Sequence, residues 1–125
     1  NDNPLARKYG YSEAASSDAL SKIADGITLL DSRLEAQAEL GSRYLVGDTL
    51  TAADIYWATM SMALVPAPPE IMPRTQQNKG LLAWFEQNSK VPEIAAALTE
   101  RIEDHQRYIL KTYCETPAVL GGDPL

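Results

Sequence analysis

The sequence predicts an all-α fold, a helical bundle, on three observations. Apolar residues recur at spacings of three and four over residues 20–34, which is the period of one helix face. No charged residue occurs between positions 55 and 69, which favours a helix buried on nearly every side. No segment alternates apolar and polar residues as a half-buried strand does. We therefore expect a single helical domain over residues 1–125, with an irregular lead-in at 1–17, a helical core at 18–115 and an extended tail at 116–125.

The first helix is predicted from an apolar stripe on one face. The stripe consists of Leu20, Ile23, Ile27, Leu30 and Leu34. Ser16 or Ser17 is the predicted N-cap, and Gly41 is the predicted stop. Gly26 lies inside the helix, where glycine costs roughly 1 kcal/mol relative to alanine, so it suggests a close approach of another helix.

The uncharged segment begins with a helix start signal. Thr51 is a suitable N-cap residue and Asp54 follows three places on, so the two predict a capping box in which Asp replaces the usual Glu. Leu50 and Ile55 have the spacing of a hydrophobic staple, which fixes the angle at which the chain enters the helix. The helix is expected over residues 52–65, before the prolines. Replacing Asp54 by alanine should then lower stability by about 1 kcal/mol or more.

Two further helices are predicted after a proline-rich loop. Four prolines between positions 66 and 73 predict that loop, with Ile71 and Met72 turned inward. The next helix is carried by Leu81, Leu82, Trp84 and Phe85. Pro92 is acceptable at a first helical position and opens the last helix. The apolar face of this last helix is formed by Ile94, Leu98, Ile102 and Ile109.

Composition argues against several classes of function. With 17 acidic and 11 basic side chains the net charge is −6, and the basic residues are scattered, which argues against a nucleic-acid partner. No apolar run approaches the roughly 20 residues that cross a bilayer, so no membrane partner is expected. No targeting segment is visible, and Cys114 is the single cysteine. We therefore expect a cytoplasmic protein without an internal disulfide.

The sequence offers few residues for chemistry. His105 is the only histidine, and no serine, cysteine or carboxylate partner for it can be recognised, so we interpret it as structural. Cys114 lies near a helix end and is expected to be inert. One histidine and one cysteine are too few for a zinc site, and no acidic cluster compensates, so no metal site is predicted. No residue of this chain is predicted to be catalytic.

The region around the capped helix resembles a known family. Residues 44–48 read Tyr-Leu-Val-Gly-Asp and residues 50–55 read Leu-Thr-Ala-Ala-Asp-Ile, which is similar to the capped core helix in the C-terminal, all-helical domain of the glutathione transferases. Leu-Leu-Ala-Trp-Phe at 81–85 and Val-Pro at 91–92 resemble the helices that follow it. The family usually has two long helices before the Gly-Asp turn. The resemblance therefore implies that the first family helix is absent or shortened here.

The resemblance implies a role in glutathione conjugation. The parent enzyme would join glutathione, its co-substrate, to a hydrophobic electrophile, with the catalytic hydroxyl or thiol in an N-terminal thioredoxin-like domain. This chain alone would bind no cofactor and would supply the structural core and part of the electrophile pocket. The pocket candidates are Met60, Leu64, Tyr9 and Tyr11. Family members commonly dimerise, so a second copy of the chain is a candidate partner.

Two other interpretations are open. The same helical domain occurs in translation elongation factor subunits and aminoacyl-tRNA synthetases, where it is a non-catalytic module that assembles complexes. A freestanding ligand-binding bundle is a third class. The residues upstream of position 1 discriminate between them, because a thioredoxin-like domain with Ser, Tyr or Cys near its start favours the enzyme.

Overall fold

The computed structural model describes residues 4, 8 and 10–118. Residues 10–118 form five α-helices and contain no β-strand, so the predicted all-α fold is confirmed for the part of the chain described. The helices are α1 (Glu13–Glu39), α2 (Ala52–Met60), α3 (Lys79–Asn88), α4 (Pro92–Ala97) and α5 (Glu100–Tyr113), and a 3₁₀ turn, Ser61–Ala63, follows α2.

Helix α1 begins earlier than predicted. Its N-cap is Ser12, whose hydroxyl oxygen accepts a hydrogen bond from the Ala15 N–H at 3.0 Å, and not Ser16 or Ser17. The predicted irregular lead-in at 1–17 is therefore wrong from Glu13 onward. Residues 13–15 read Glu-Ala-Ala, which are good helix formers, so the helix extends back past the start of its apolar stripe.

The end of α1 is closed as predicted by Gly41. This residue has φ +79°, and its N–H donates to the carbonyl of Ala38 at 3.0 Å. The next N–H, that of Ser42, donates to the carbonyl of Gln37 at 2.9 Å. This pair of bonds is the Schellman arrangement, which needs a left-handed residue after the helix and so favours glycine.

The close approach suggested at Gly26 is absent from the described structure, because a Cβ built there would meet no heavy atom within 4 Å. We therefore expect Gly26→Ala to raise the free energy of unfolding by about 0.5–1 kcal/mol, since alanine restricts the unfolded chain and favours the helix. Urea denaturation of the variant measures this change. Gly47→Ala is the matched control and should be destabilising, because Gly47 has φ +67°. Destabilisation by Gly26→Ala would contradict the expectation.

Helix α2 is shorter than the predicted span of 52–65. It ends at Met60, and the chain tightens into the 3₁₀ turn before Pro66. Gln106 of α5 stabilises this change, because its Nε2 donates to Ser61 Oγ at 2.8 Å and to the carbonyl of Val65 at 2.9 Å. The Gln106 side chain therefore binds the first and the last residue of the segment 61–65.

The predicted burial of α2 on nearly every side is wrong. Ala58 is fully buried, but Tyr56 is 68% and Met60 74% exposed. Tyr56 and Met60 are four residues apart, so they lie on one face of the helix. The lack of charge in this segment therefore does not reflect burial within this chain.

Among the described residues, the core consists of two clusters that share helix α5. Cluster A contains Ala58, Ala67, Ile71, Met72, Leu82, Ile109 and Leu110. Cluster B contains Ile27, Leu34, Leu45, Ile94, Ala97 and Ile102. The inward placement predicted for Ile71 and Met72 is confirmed. Helix α5 supplies residues to both clusters and packs on both α1 and α2, so it is central to the bundle alongside α2.

The predicted last helix is divided into α4 and α5. Leu98 leaves the helical conformation with ψ 122°, and Thr99 starts α5 by accepting the Ile102 N–H on its hydroxyl at 3.3 Å. The same hydroxyl donates to Asp31 Oδ1 of α1 at 2.6 Å. Because Thr99 caps α5 and is also bonded to α1, the chain starts a new helix here and does not continue α4. The apolar periodicity alone did not indicate this division.

Candidate functional site

Asp54 lies in the first turn of α2 and is fully buried. Its Oδ2 accepts the N–H of Thr51 at 2.8 Å and the Thr51 hydroxyl at 2.9 Å. Its Oδ1 accepts the N–H of Leu45 at 2.8 Å. The carboxylate therefore fixes both the start of α2 and the loop that leads into it.

The Thr51 and Asp54 pair has the capping-box arrangement. The Thr51 hydroxyl also donates to the Asp54 carboxylate, a bond that was not predicted. Leu50 and Ile55, the predicted staple residues, are both half-buried and pack against cluster A. The bond from the Leu45 N–H spans nine residues and was not predicted.

His105 of α5 is the fourth partner of the Asp54 carboxylate. Its Nε2 lies 2.9 Å from Asp54 Oδ1, and its side chain is only 4% exposed. The prediction that His105 has no recognisable carboxylate partner was therefore wrong, because the two residues are 51 positions apart and meet only through the packing of α5 on α2. A carboxylate can only accept, so Nε2 carries the proton. Among the described residues, no hydrogen-bond partner exists for the buried Nδ1.

The pKa values of this pair follow from burial and hydrogen bonding. Burial raises the pKa of Asp54, but the bonds from Leu45, Thr51 and His105 outweigh it, so the pKa lies below its ordinary 3.8. Burial lowers the pKa of His105 below its ordinary 6.5 and outweighs the opposing effect of Asp54. A proton on Nδ1 would also be a buried donor without an acceptor in the described structure. The pair is therefore an aspartate with a neutral histidine at pH 7.

Stability is expected to fall on acidification in two steps. Below about pH 6.5 the unfolded chain binds a proton on His105 before the folded chain does, so the free energy of unfolding decreases as the pH falls. Asp54 has the same effect below about pH 3.8, because its folded pKa is also lowered. Urea denaturation at pH 7.5, 6, 5, 4 and 3 measures both steps.

His105→Gln is the matched variant for the first step. Its amide can still donate to Asp54, and it does not titrate. As the chain has one histidine, the dependence between pH 7 and pH 5 should disappear in this variant. A wild-type chain whose stability is constant or increases from pH 7 to pH 5 would contradict the lowered pKa of His105.

A partly open cleft of about 230 Å³ lies between α1 and α5, next to His105. It is lined by Leu34, Ala38, Ser42, Arg43, Arg101, Asp104, His105 and Tyr108. None of the described pocket candidates contributes to it: Tyr11 and Met60 are exposed elsewhere, and Leu64 packs against cluster B. Tyr9 lies outside the described residues. The sequence did not predict this cleft, because its lining residues come from two distant segments, 34–43 and 101–108, and form no pattern in either.

The charges at the cleft are unequally compensated. Arg101 forms ion pairs with Asp31 at 3.3 Å and Glu35 at 3.0 Å, and Asp104 pairs with an arginine one turn along α5. Arg43 has its guanidinium carbon 4.1 Å from the centre of the Tyr108 ring. Within residues 10–118, no acidic side chain pairs with Arg43.

Three tyrosines meet beside the cleft. The hydroxyl of Tyr44 lies 3.5 Å from that of Tyr108 and is also hydrogen-bonded to that of Tyr113. Hydrogen bonds from Tyr44, Tyr113 and Arg43 lower the pKa of Tyr108 to about 8. Its hydrogen bonds with Tyr108 and Tyr113, together with desolvation, raise the pKa of Tyr44.

Two other kinds of site are absent from the described residues. No group of three or more histidine, cysteine, aspartate or glutamate side chains is placed to hold a metal ion within this part of the chain. None of the described helices combines the length and apolar character needed to span a bilayer.

Comparison with protein families identifies the domain. The family model for the glutathione S-transferase C-terminal domain matches residues 13–87, more than half of the chain. The chain belongs to this family. The match to the glutathione S-transferase C-terminal domain includes α1, α2 and nearly all of α3, and therefore Asp54, whereas His105 and Tyr108 lie beyond it. Searches of curated proteins and of solved structures gave no match.

Proposed function

We propose that this chain is the helical domain of a glutathione transferase-like enzyme. The enzyme would form a carbon–sulfur bond between the glutathione thiolate and a hydrophobic electrophile. The observation that carries the proposal is the family match over residues 13–87, which contains the complete capped helix α2. The catalytic hydroxyl or thiol, and the residues that hold glutathione, would belong to an N-terminal thioredoxin-like domain.

The chemistry of the described residues supports this division of roles. The buried Asp54 is occupied by four hydrogen-bond donors, among them the only histidine. Cys114 is half-buried and packs against cluster A. In the described part of the chain, no nucleophile and base lie together as an acid–base mechanism requires. The chain by itself should therefore be inactive.

The exposed face of α2 is the proposed contact for the thioredoxin-like domain. Tyr56 and Met60 are exposed, apolar and one turn apart on a helix without charge beyond Asp54. Such a face is more stable when another apolar surface covers it. Met60 therefore remains a candidate for the electrophile pocket on the domain boundary, whereas Leu64 belongs to the core.

The test is a conjugation assay with glutathione and an activated aryl chloride, on this chain and on the full-length protein that contains it. We expect activity in the full-length protein alone. Activity in the short chain would contradict the assignment of roles, and inactivity of a folded full-length protein with a range of electrophiles would favour the interaction module instead. Met60→Glu in the full-length protein should reduce activity, whereas Leu29→Glu, on the exposed side of α1, should not.

A further inference from the structure

The cleft between α1 and α5 combines an apolar wall with one uncompensated cation. Leu34 and Ala38 of α1 provide the apolar side, and the ring of Tyr108 provides a flat aromatic side. Arg43 lies at the same cleft with its guanidinium over the Tyr108 ring. A guanidinium has five N–H donors, so the hydrogen bond from Arg43 to Tyr108 leaves others for a ligand.

One basic side chain at this cleft, Arg43, has no carboxylate partner within residues 10–118. The chain carries a net charge of −6, which disfavours anions over most of its surface. Arg101 is shared by Asp31 and Glu35, and Asp104 shares Arg107 with Glu103, so the other ion pairs around the cleft contain more carboxylates than cations. Arg43 is therefore the local group, within the described structure, that attracts a negative charge to the cleft mouth.

The size of the cleft limits the ligand to about one ring. A cavity of about 150 Å³ in another protein is large enough for benzene. The cleft here has about 230 Å³, which leaves room for one ring and a small substituent. Guanidinium groups bind carboxylates through paired hydrogen bonds, so a carboxylate is the substituent that best matches Arg43.

We propose that this cleft is a binding site for a small aromatic carboxylate. The ring lies between Leu34, Ala38 and Tyr108, and the carboxylate accepts hydrogen bonds from Arg43. The site is separate from the exposed face of α2 and does not depend on the proposed conjugation activity, because every residue of it is contained in this chain.

The experiment is an NMR titration of the 125-residue chain with benzoate, and with benzamide as the neutral ligand of the same shape. We expect benzoate to shift the ring protons of His105, the only histidine, and the amides of Ala38, Ser42 and Tyr108. Benzamide should bind at least about fivefold more weakly, because it lacks the charge that Arg43 recognises. Equal affinity for the two ligands would overturn the proposal, as would shifts confined to other surfaces.

Three variants make the test specific. Ala38→Trp fills the cleft from an exposed position and should abolish benzoate binding, whereas Ala36→Trp, on the same helix but outside the cleft, should retain it. Arg43→Gln should weaken benzoate about fivefold or more and leave benzamide unchanged. Binding by folded Ala38→Trp at the wild-type affinity, or an Arg43→Gln variant with unchanged preference for benzoate, would contradict the site.

Discussion

Asp54→Ala is expected to lower the free energy of unfolding by about 3–5 kcal/mol, because each buried donor left without its acceptor costs about 1–3 kcal/mol and the lost cap about 1 kcal/mol. The variant leaves the N–H of Leu45 and the Nε2–H of His105 buried without acceptors, and it removes the cap of α2. The sequence alone predicted about 1 kcal/mol or more, because only the cap was visible there. Urea denaturation at pH 7 measures the difference.

Two milder variants separate the contribution of the α2 cap from that of the Asp54 bonds to Leu45 and His105. Thr51→Ala removes the capping side chain but leaves the Asp54 bonds to Leu45 and His105, so it should cost about 1 kcal/mol. Asp54→Asn keeps one acceptor oxygen, and its amide N–H₂ then faces donors, so its loss should lie between those of the other two variants. A loss for Asp54→Ala no larger than that for Thr51→Ala would contradict the wider role of Asp54.

Ile102→Ala should lower the free energy of unfolding by about 2–5 kcal/mol. Ile102 of α5 is fully buried in cluster B, between α1, α2 and α4, so truncation leaves a cavity that the surrounding helices cannot easily close. The carbonyl of Ile102 also accepts the Trp57 indole N–H at 3.3 Å, so the backbone at this point is held in place. Urea denaturation again measures the loss.

Leu29→Ala is the matched control for the cavity. Leu29 lies on α1 and is 71% exposed, so its truncation should change stability by no more than about 0.5 kcal/mol. Comparable losses for Ile102→Ala and Leu29→Ala would show that cluster B is not the packed core described above.

Local signals predicted much of the fold. The stripe of α1 contains Ile27 and Leu34 of cluster B, and Gly41 stops the helix at a left-handed residue. Such features depend on neighbours a few residues apart, which a sequence shows directly. The start of α1 at Ser12 was missed because several serines there are suitable caps, and the one used is selected by the whole structure.

Contacts between distant residues could not be predicted. Asp54 and His105 are 51 positions apart, and Arg43 and Tyr108 are 65 apart, so nothing in the spacing of either pair indicates a contact. The division of the last helix at Thr99 depends on Asp31 of α1 for the same reason. The exposed face of α2 shows a second limit of prediction from sequence. An uncharged helix can be buried in the core of its own domain or covered by another domain, and the sequence does not distinguish the two.

The central claim is that the Asp54 carboxylate organises the cap, the preceding loop and His105 in one buried site. Long-range ¹H–¹⁵N correlation of the histidine ring at pH 7 tests it most directly, because the chain contains a single histidine and its two nitrogens give distinct signals. We expect a neutral ring with the proton on Nε2, donated to Asp54, and an unprotonated Nδ1. A ring protonated on Nδ1 alone, or on both nitrogens at pH 7, would contradict it.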